Sequence, residues 1–307
     1  MAEIVIVNKE SGHDYFAGSA CAFGVFDGLH LGHQFLIDCA KASAGECGGK
    51  SIALTFDKDP DEVFNPQHLQ KLMTNEVRLE ALSQSGVDMV AVLPFTDSFA
   101  ALAPLDFLEK TFNGYAPQSL HVGADFRFGT KALGGIKELQ AWGKRVGTQI
   151  DAHELESVDG SPISSTRIRG LLRDSEIRRA NELLGHPYFL AAEVIAGRGQ
   201  GADLGFRTAN LRINPMIQAL GDGVYAAWAS VDNKRYKSAV AVGVSPMFQE
   251  ETIATCEAHL LDFSGEIYGK ELKLEFVDFL RPMIRFNSEE ELIQTVLNNI
   301  SWIRENL

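Results

Sequence analysis

Cysteine is scarce in this chain. There are four among 307 residues, Cys21, Cys39, Cys47 and Cys256, with no CxxC pair and no ligand-like spacing. That argues against a disulfide-stapled fold or a zinc ribbon and fits reduced thiols in a cytosolic protein. Basic residues are also few beside acidic ones, 28 Lys and Arg against 41 Asp and Glu, giving a net charge of −13. Such a field repels nucleic acid and anionic membranes, so any phosphate handled here must be held locally by helix N-termini, a few arginines or a metal ion. Long hydrophobic runs are missing too. No apolar stretch approaches the length that crosses a bilayer, and the opening MAEIVIVNKESGHDYF lacks the basic-then-apolar order of a secretory signal. The expectation is a soluble, cytoplasmic protein whose partners are small molecules, with neither nucleic acid nor membrane among them. The sequence leaves oligomeric state open.

What the chain does contain is core-forming. Hydrophobic residues make up 45% and include 19 Phe, which excludes a disordered chain, and the length suits two domains. As far as about Arg179, short apolar runs (IVIV, SACAFGVF, SIALTF, VDMVAVLPF, SLHVGADF) alternate with helical stretches such as HQFLIDCAKASA and NEVRLEALSQSG. Strands alternating with helices predict a parallel α/β sheet with helices on both faces and a ligand at the carboxyl ends of the strands. After about Gly185 the segments YFLAAEVIAG, GVYAAWASV, SAVAVGV, TIATCEAHLLDF and ELKLEFVDFL follow one another with little room for helices, predicting an antiparallel barrel or sandwich. LLGHPY, residues 183–188, marks the junction, so the expected domains are 1–184 and 185–307. Ser288 and Glu291 stand in capping-box spacing ahead of Leu292, Val296, Ile300 and Ile303, which predicts a terminal amphipathic helix.

The stretch CAFGVFDGLHLGH, residues 21–33, places His30 and His33 at the expected start of a helix after a buried strand. There the imidazoles sit beside unpaired backbone N–H groups and the positive end of the helix dipole, and Gly32 leaves room for a bulky anion. Such a corner binds phosphates and can stabilise charge as it moves onto a leaving pyrophosphate. Neighbouring histidines also occur as surface residues or as part of a metal site. Gly24, Phe26, Asp27 and Gly28 in the same turn favour the phosphate corner. Far downstream, SPISSTRIRGLL (161–172) reads as a hydroxyl-rich helix start followed by Arg167 and Arg169. It forms a candidate second phosphate clamp, in which an Arg grips the anion bidentately.

GVFDGLHLGH together with ISSTRIR resembles the HxGH nucleotidyltransferase superfamily. With TFDKDPDEVFNP (55–66), VGADFRFG (122–129) and the two-domain length, nearly the whole chain is similar to the bacterial bifunctional riboflavin kinase/FAD synthetases. The resemblance implies a Rossmann-like N-terminal nucleotidyltransferase domain and a C-terminal β-barrel closed by a terminal helix. It implies AMP transfer from ATP to FMN, giving FAD and pyrophosphate with Mg²⁺. His30 and His33 would be catalytic and, with Gly24, Phe26, Asp27, Ser165, Thr166, Arg167 and Arg169, would bind ATP. Asp125 and Phe126 of the DFRFG loop, and Arg281 in the second half, would lie against flavin. The nucleophile is a phosphate with a second pKa of about 6, ionised at neutral pH without a side-chain base. Asp59 stands where the family has the His of its TFxxHP stretch.

AGRGQGADLGFRTANL (196–211) looks at first like a dinucleotide fingerprint, but a turn and Pro215 follow where a helix should. It matches instead the resembled family's GR-x-LGFPTAN kinase motif, which implies Mg²⁺ and ATP-phosphate contacts at Thr208 and Asn210. CEAHLLDFSGEIYG (256–269) resembles the strand carrying the catalytic base, here Glu257, and alternation puts His259 on the same face. Phosphorylating an alcohol calls for such a base. Several positions depart from the pattern: Ala202 for Arg, Arg207 for Pro, Ala241 for Asn, Met247 for Thr and Met283 for an acid. Losing buried hydrogen-bonding partners costs about 1–3 kcal/mol each, so a weak, altered or lost kinase is expected beside a working adenylyltransferase. Two alternatives stand beside this reading. One is an adenylyltransferase for another phosphorylated acceptor such as a modified flavin, the other a non-catalytic flavin-binding protein.

Overall fold

In the computed structural model, residues 1–8, 12–64, 70–154, 156–197, 206–243 and 255–307 are described. The chain divides into two compact units, Met1–Ser165 and Thr166–Leu307.

The first unit is built on six strands: β1 (Glu3–Ile6), β2 (Ala20–Phe23), β3 (Ser51–Phe56), β4 (Met89–Leu93), β5 (Ser119–Gly123) and β6 (Gln149–His153). All pair in parallel, in the order β1-β4-β3-β2-β5-β6. The β3 run SIALTF is buried at every position because both faces of the sheet are covered. Side chains alternate between two cores. Phe23, Ile52, Leu54, Ala91 and Leu93 enter one with a large aromatic cluster, while Ala22, Ala53, Val90 and Val92 enter the other with Phe26, Leu36, Ile37 and Leu82. The helices are α1 (Leu31–Cys47), α2 (Pro60–Phe64), α3 (Asn75–Gln84), α4 (Asp97–Ala100), α5 (Pro104–Phe112) and α6 (Ile136–Val146), and a short ribbon of β7 (Ser157–Val158) and β8 (Ser161–Pro162) follows β6. Residues of α1 and α3 feed the second core; those of α5 and α6 feed the aromatic one.

Strand order reverses at β2. The chain steps through α1 to β3 on one side, continues to β4, then returns to place β5 on the other side of β2. A crevice therefore opens outside the carboxyl end of β2, where the expected phosphate corner begins.

In the second unit a closed antiparallel barrel forms, ordered β10-β13-β12-β11-β14-β9. Its strands are β9 (Phe189–Ile195), β10 (Ala209–Leu211), β11 (Gly223–Val231), β12 (Lys234–Gly243), β13 (Thr255–Leu260) and β14 (Glu271–Arg281). Between the two readings open in sequence, closure decides for the barrel, and it leaves no exposed sheet edge. Asp232 and Asn233, with φ of 50° and 59°, join β11 to β12 in a two-residue hairpin of the kind that matches strand twist. Helix α7 (Ser165–Arg173) runs across the division of the chain, and α8 (Ile177–Leu184) packs on β14. There Arg178 pairs with Asp278 and Asn181 Nδ2 donates to the Phe276 carbonyl at 2.9 Å. Thus the contacts divide the chain at Ser165/Thr166, ahead of the LLGHPY junction at 183–188. Helix α9 (Glu289–Asn306) covers the barrel with Ile303, which joins Ala226 and Leu261, while Ile300 and Trp302 pack beside them. Its Ser288 cap accepts from Glu291 N at 3.2 Å, but the Glu291 carboxylate reaches back to Asn287 N at 2.8 Å, one residue earlier than a capping box places it. No helix among the described residues is long and apolar enough to cross a membrane.

Candidate active sites

The turn leaving β2 has an unusual backbone. Phe26, Gly28 and Leu29 all have positive φ, at 61°, 81° and 41°. A non-glycine residue there costs of order 1–3 kcal/mol, offset by complete burial of the Phe26 ring. The turn is pinned from outside as well. Asp27 Oδ1 accepts from Leu72 N at 2.9 Å, and the Asp27 carbonyl accepts from the Ser165 hydroxyl, also at 2.9 Å. Ser165, the first helical residue of the downstream motif, thus rests on the turn of the upstream one. Asp27 spends a carboxylate oxygen on the loop before α3, which gives that residue a scaffolding role whatever else it touches.

His30 is the N-cap of α1. Its Nδ1 accepts from His33 N at 3.4 Å, which leaves the proton of the neutral ring on Nε2, free to donate. The two imidazoles stack, ring centroids 3.6 Å apart and 17° from parallel, with Phe26 edge-on to His33. A Cβ on Gly32 would meet the His30 ring at 3.4 Å, an ordinary van der Waals contact, so the imidazole by itself does not demand glycine there. Burial pushes the His30 pKa down to about 4. Burial, the neighbouring His30 and the Arg78 charge hold His33 well below its ordinary value. Both rings are therefore neutral hydrogen-bond donors at pH 7. Among the described residues His33 Nδ1 is buried with no partner, an unsatisfied polar atom at a helix N-terminus.

Asp125 and Phe126 follow β5, the strand beside β2, and so stand at the same edge of the sheet. Asp125 is exposed, while Phe126 packs on Phe23 and Phe128 with centroids at 5.0 and 5.7 Å. Thr166, Arg167 and Arg169 lie on α7 beyond the division, where Arg169 Nη2 donates to Thr166 Oγ1 at 3.2 Å. Asp59 caps α2, its Oδ1 accepting from Asp61 N at 2.9 Å, and burial raises its carboxyl pKa.

In the barrel, Asn210 on β10 sits opposite Glu257 on β13, and Thr208 Oγ1 donates to Glu257 Oε2 at 3.4 Å. Gly197 makes room for the Asn210 side chain, since a Cβ there would collide with Asn210 Nδ2. His259 shares the half-exposed face of Glu257, and its Nδ1 donates to the Arg207 carbonyl at 2.8 Å. Ala241 is directly opposite Glu257 on the other neighbouring strand. Arg281 lies over Phe286, with its Nε buried and unpartnered among the described residues. Ala202 and Met247 fall outside the described residues.

Comparison with known proteins matches a different family to each half of the chain. The FAD synthetase family profile matches residues 13–167 and the riboflavin kinase profile matches residues 184–307. The chain belongs to the bifunctional riboflavin kinase/FMN adenylyltransferase family. It is 34% identical over 276 residues to the protein of that name from Listeria monocytogenes, covering 89% of this chain and 87% of that one. It is 35% identical over 282 residues to the one from Haemophilus influenzae, covering 90% of each. A crystal structure described as a macrolide-efflux protein from Streptococcus pneumoniae matches over 99% of both chains with a TM-score of 0.87 and 24% identity, a likeness of fold alone. The expectation of an impaired kinase, the modified-flavin acceptor and the non-catalytic binder gain no support from these comparisons, because profiles for both halves match.

One residue near the corner belongs to none of the sequence motifs, Arg78. It stands on α3 among positions that face the core, and the signal that could have found it is a charge in step with Leu82, four residues on.

Proposed function

We propose that residues 1–184 join the AMP of ATP to the phosphate of FMN and that residues 185–307 phosphorylate riboflavin to supply that FMN. The observation that carries the first reading is the stacked, neutral His30–His33 pair capping α1 at the point where strand order reverses. A phosphate oxygen of FMN attacks the α-phosphorus of ATP. The bond to the bridging oxygen breaks, and its electron pair leaves with pyrophosphate. Imidazole N–H groups and the α1 N-terminus meet the charge that grows on the departing oxygens. Ser165, Thr166, Arg167 and Arg169 supply hydroxyls and guanidinium groups for the rest of the triphosphate. Asp125 and Phe126 stand where the flavin would approach. No general base is called for, because the attacking phosphate is already ionised.

In the barrel, Glu257 accepts the proton of the riboflavin hydroxyl as that oxygen attacks the γ-phosphorus. The hydrogen of Thr208 points at Glu257, which leaves the hydroxyl lone pairs turned elsewhere. With the Asn210 amide oxygen these form an all-oxygen donor set that fits Mg²⁺. When bound, Mg²⁺ would neutralise phosphate charge in the transferring group. The departures at Arg207, Ala241 and Met283 bear on the rate of this half. A cytoplasmic setting suits both reactions, which consume ATP, and all four cysteines are free.

The test is direct: purified protein with ATP and Mg²⁺ is given FMN in one reaction and riboflavin in another, and products are separated by chromatography. FAD forms in the first and FMN followed by FAD in the second. In a chain that stays folded, replacing both His30 and His33 by alanine lowers FAD formation at least about 100-fold. An undiminished rate would refute the assignment.

A further inference from the structure

Arg78 is 2% exposed, yet its guanidinium meets only neutral oxygens. Nη1 donates to the Val25 carbonyl at 3.0 Å and to Thr55 Oγ1 at 2.7 Å; Nη2 donates to the Phe56 carbonyl at 2.7 Å and to Asn75 Oδ1 at 3.3 Å. Four carboxylates act on it at longer range, Asp59, Asp27, Glu62 and Asp57. Each is engaged elsewhere: Asp59 on Asp61 N, Asp27 on Leu72 N, Glu62 on Lys71 and Asn75, and Asp57 on Phe95 N. Lys71, the other buried cation nearby, is matched by Glu62 at 2.7 Å. Among the described residues Arg78 has no such ion pair. Burying a charge without a counter-ion is expensive, and apolar side chains of similar volume serve packing at least as well.

Two features tie this cation to the corner that holds the histidines. Val25 lies in the turn between β2 and His30. In a trans peptide the C=O and the next N–H point in opposite directions, so a grip on the Val25 oxygen aims Phe26 N–H away from Arg78. Phe26 then adopts its left-handed φ of 61°. The second feature is electrostatic: Arg78 opposes protonation of His33, so its charge reaches the imidazoles. With both rings neutral, the imidazoles offer donors without positive charge, and Asp27 in the same turn is a carboxylate held on Leu72 N.

We propose that Arg78 is a positioning residue for adenylyl transfer, which orients the Val25–Phe26 peptide and supplies from beneath the positive charge that the two histidines do not carry. The departing pyrophosphate is the anion this charge serves. The inference rests on the reading of His30 and His33 as the adenylyl-transfer corner.

Arg78→Met, Arg78→Gln and Arg78→Lys are made in the full chain beside the His30→Ala/His33→Ala double variant, and each is assayed for FAD formation from FMN and for FMN formation from riboflavin. The second reaction belongs to the other unit and shows that the barrel is intact, while the melting temperature of each variant reports on the folding of the first unit. In the neutral variants Arg78→Met and Arg78→Gln, kcat for FAD synthesis falls on the order of 100-fold, while KM for FMN stays within about threefold. Arg78→Lys keeps kcat within about tenfold because it keeps the charge. Gln retains neutral donors for the same oxygens, so a purely structural Arg78 would lower the melting temperature of Arg78→Gln and leave its kcat near the parent value, which overturns the proposal. If the methionine variant does not fold, Arg78→Gln decides. If neither neutral variant folds, Arg78→Lys decides, and a fall beyond tenfold overturns the proposal. Retained FAD synthesis in the double-histidine variant would sink the site reading itself; its loss there with a normal Arg78→Gln sinks only the role of Arg78.

Discussion

At the scale of single residues, the chemistry proposed for the first site depends on burial acting on two imidazoles. His30 is neutral when folded, with its pKa pushed from 6.5 to about 4, so the unfolded chain binds a proton between those values that the folded chain refuses. Stability is therefore fully present above pH 6.5 and declines as pH falls toward 4. We expect this one group to remove roughly 3 kcal/mol across that window. Urea unfolding of the parent and of His30→Asn at pH 7 and pH 4.5 checks it: the parent loses more stability on acidification than the variant. Residue identity in the sequence is enough to single out His30 and His33. It is not enough to show that they stack, that His30 Nδ1 caps the helix, or that both rings are neutral, because each depends on neighbours contributed by β3 and α3. Asp59 illustrates the same limit. In sequence it is a departure from a family pattern; in the structure its carboxylate is the cap of a short helix.

At the scale of elements, apolar runs locate the strands of the inner sheet, since a strand covered on both faces must be apolar throughout. The edge strand β6, QIDAH, is not legible in this way because its exposed positions dilute the pattern. It is seated through a contact no periodicity reveals. Gly143 of α6 faces β6 so closely that a Cβ would lie 2.6 Å from Ile150 Cγ1 and 2.7 Å from the Thr148 carbonyl. We expect Gly143→Ala to destabilise the first unit by about 1–3 kcal/mol despite the better helix propensity of alanine, read as a lowered urea midpoint. At α9 the expected cap is present, and Ser288→Ala should cost about 1 kcal/mol of barrel stability by the same measurement. Of the predicted apolar face, Ile303 is fully buried while Leu292 and Val296 are only half covered.

At the scale of the whole molecule, the chain folds as two compact units, and the proposed function gives it two reactions of which the first product is the second substrate. That gives a partition test. With riboflavin and ATP, the His30→Ala/His33→Ala protein should accumulate FMN and make little FAD. Glu257→Gln should make no FMN from riboflavin yet convert added FMN to FAD at the parent rate. Chromatography of the products at matched times distinguishes the two, and a single variant that stops both reactions would contradict their independence. The five departures in the kinase motifs are visible in the sequence. What they do is a matter of geometry, as with Ala241, whose methyl group occupies the cross-strand position facing Glu257.

By itself, the order of residues determined the fold class of each half, the strand-to-helix turn bearing two histidines, and the family, because these follow from local periodicity and from short motifs whose chemistry is contiguous. Tertiary structure alone decided three things: that the sheet reverses order at β2, that the histidines are uncharged, and that an arginine from α3 lies buried beneath their turn. All three arise from packing between segments distant in the chain, where burial and long-range hydrogen bonds set the charge and direction of groups that the sequence can only name.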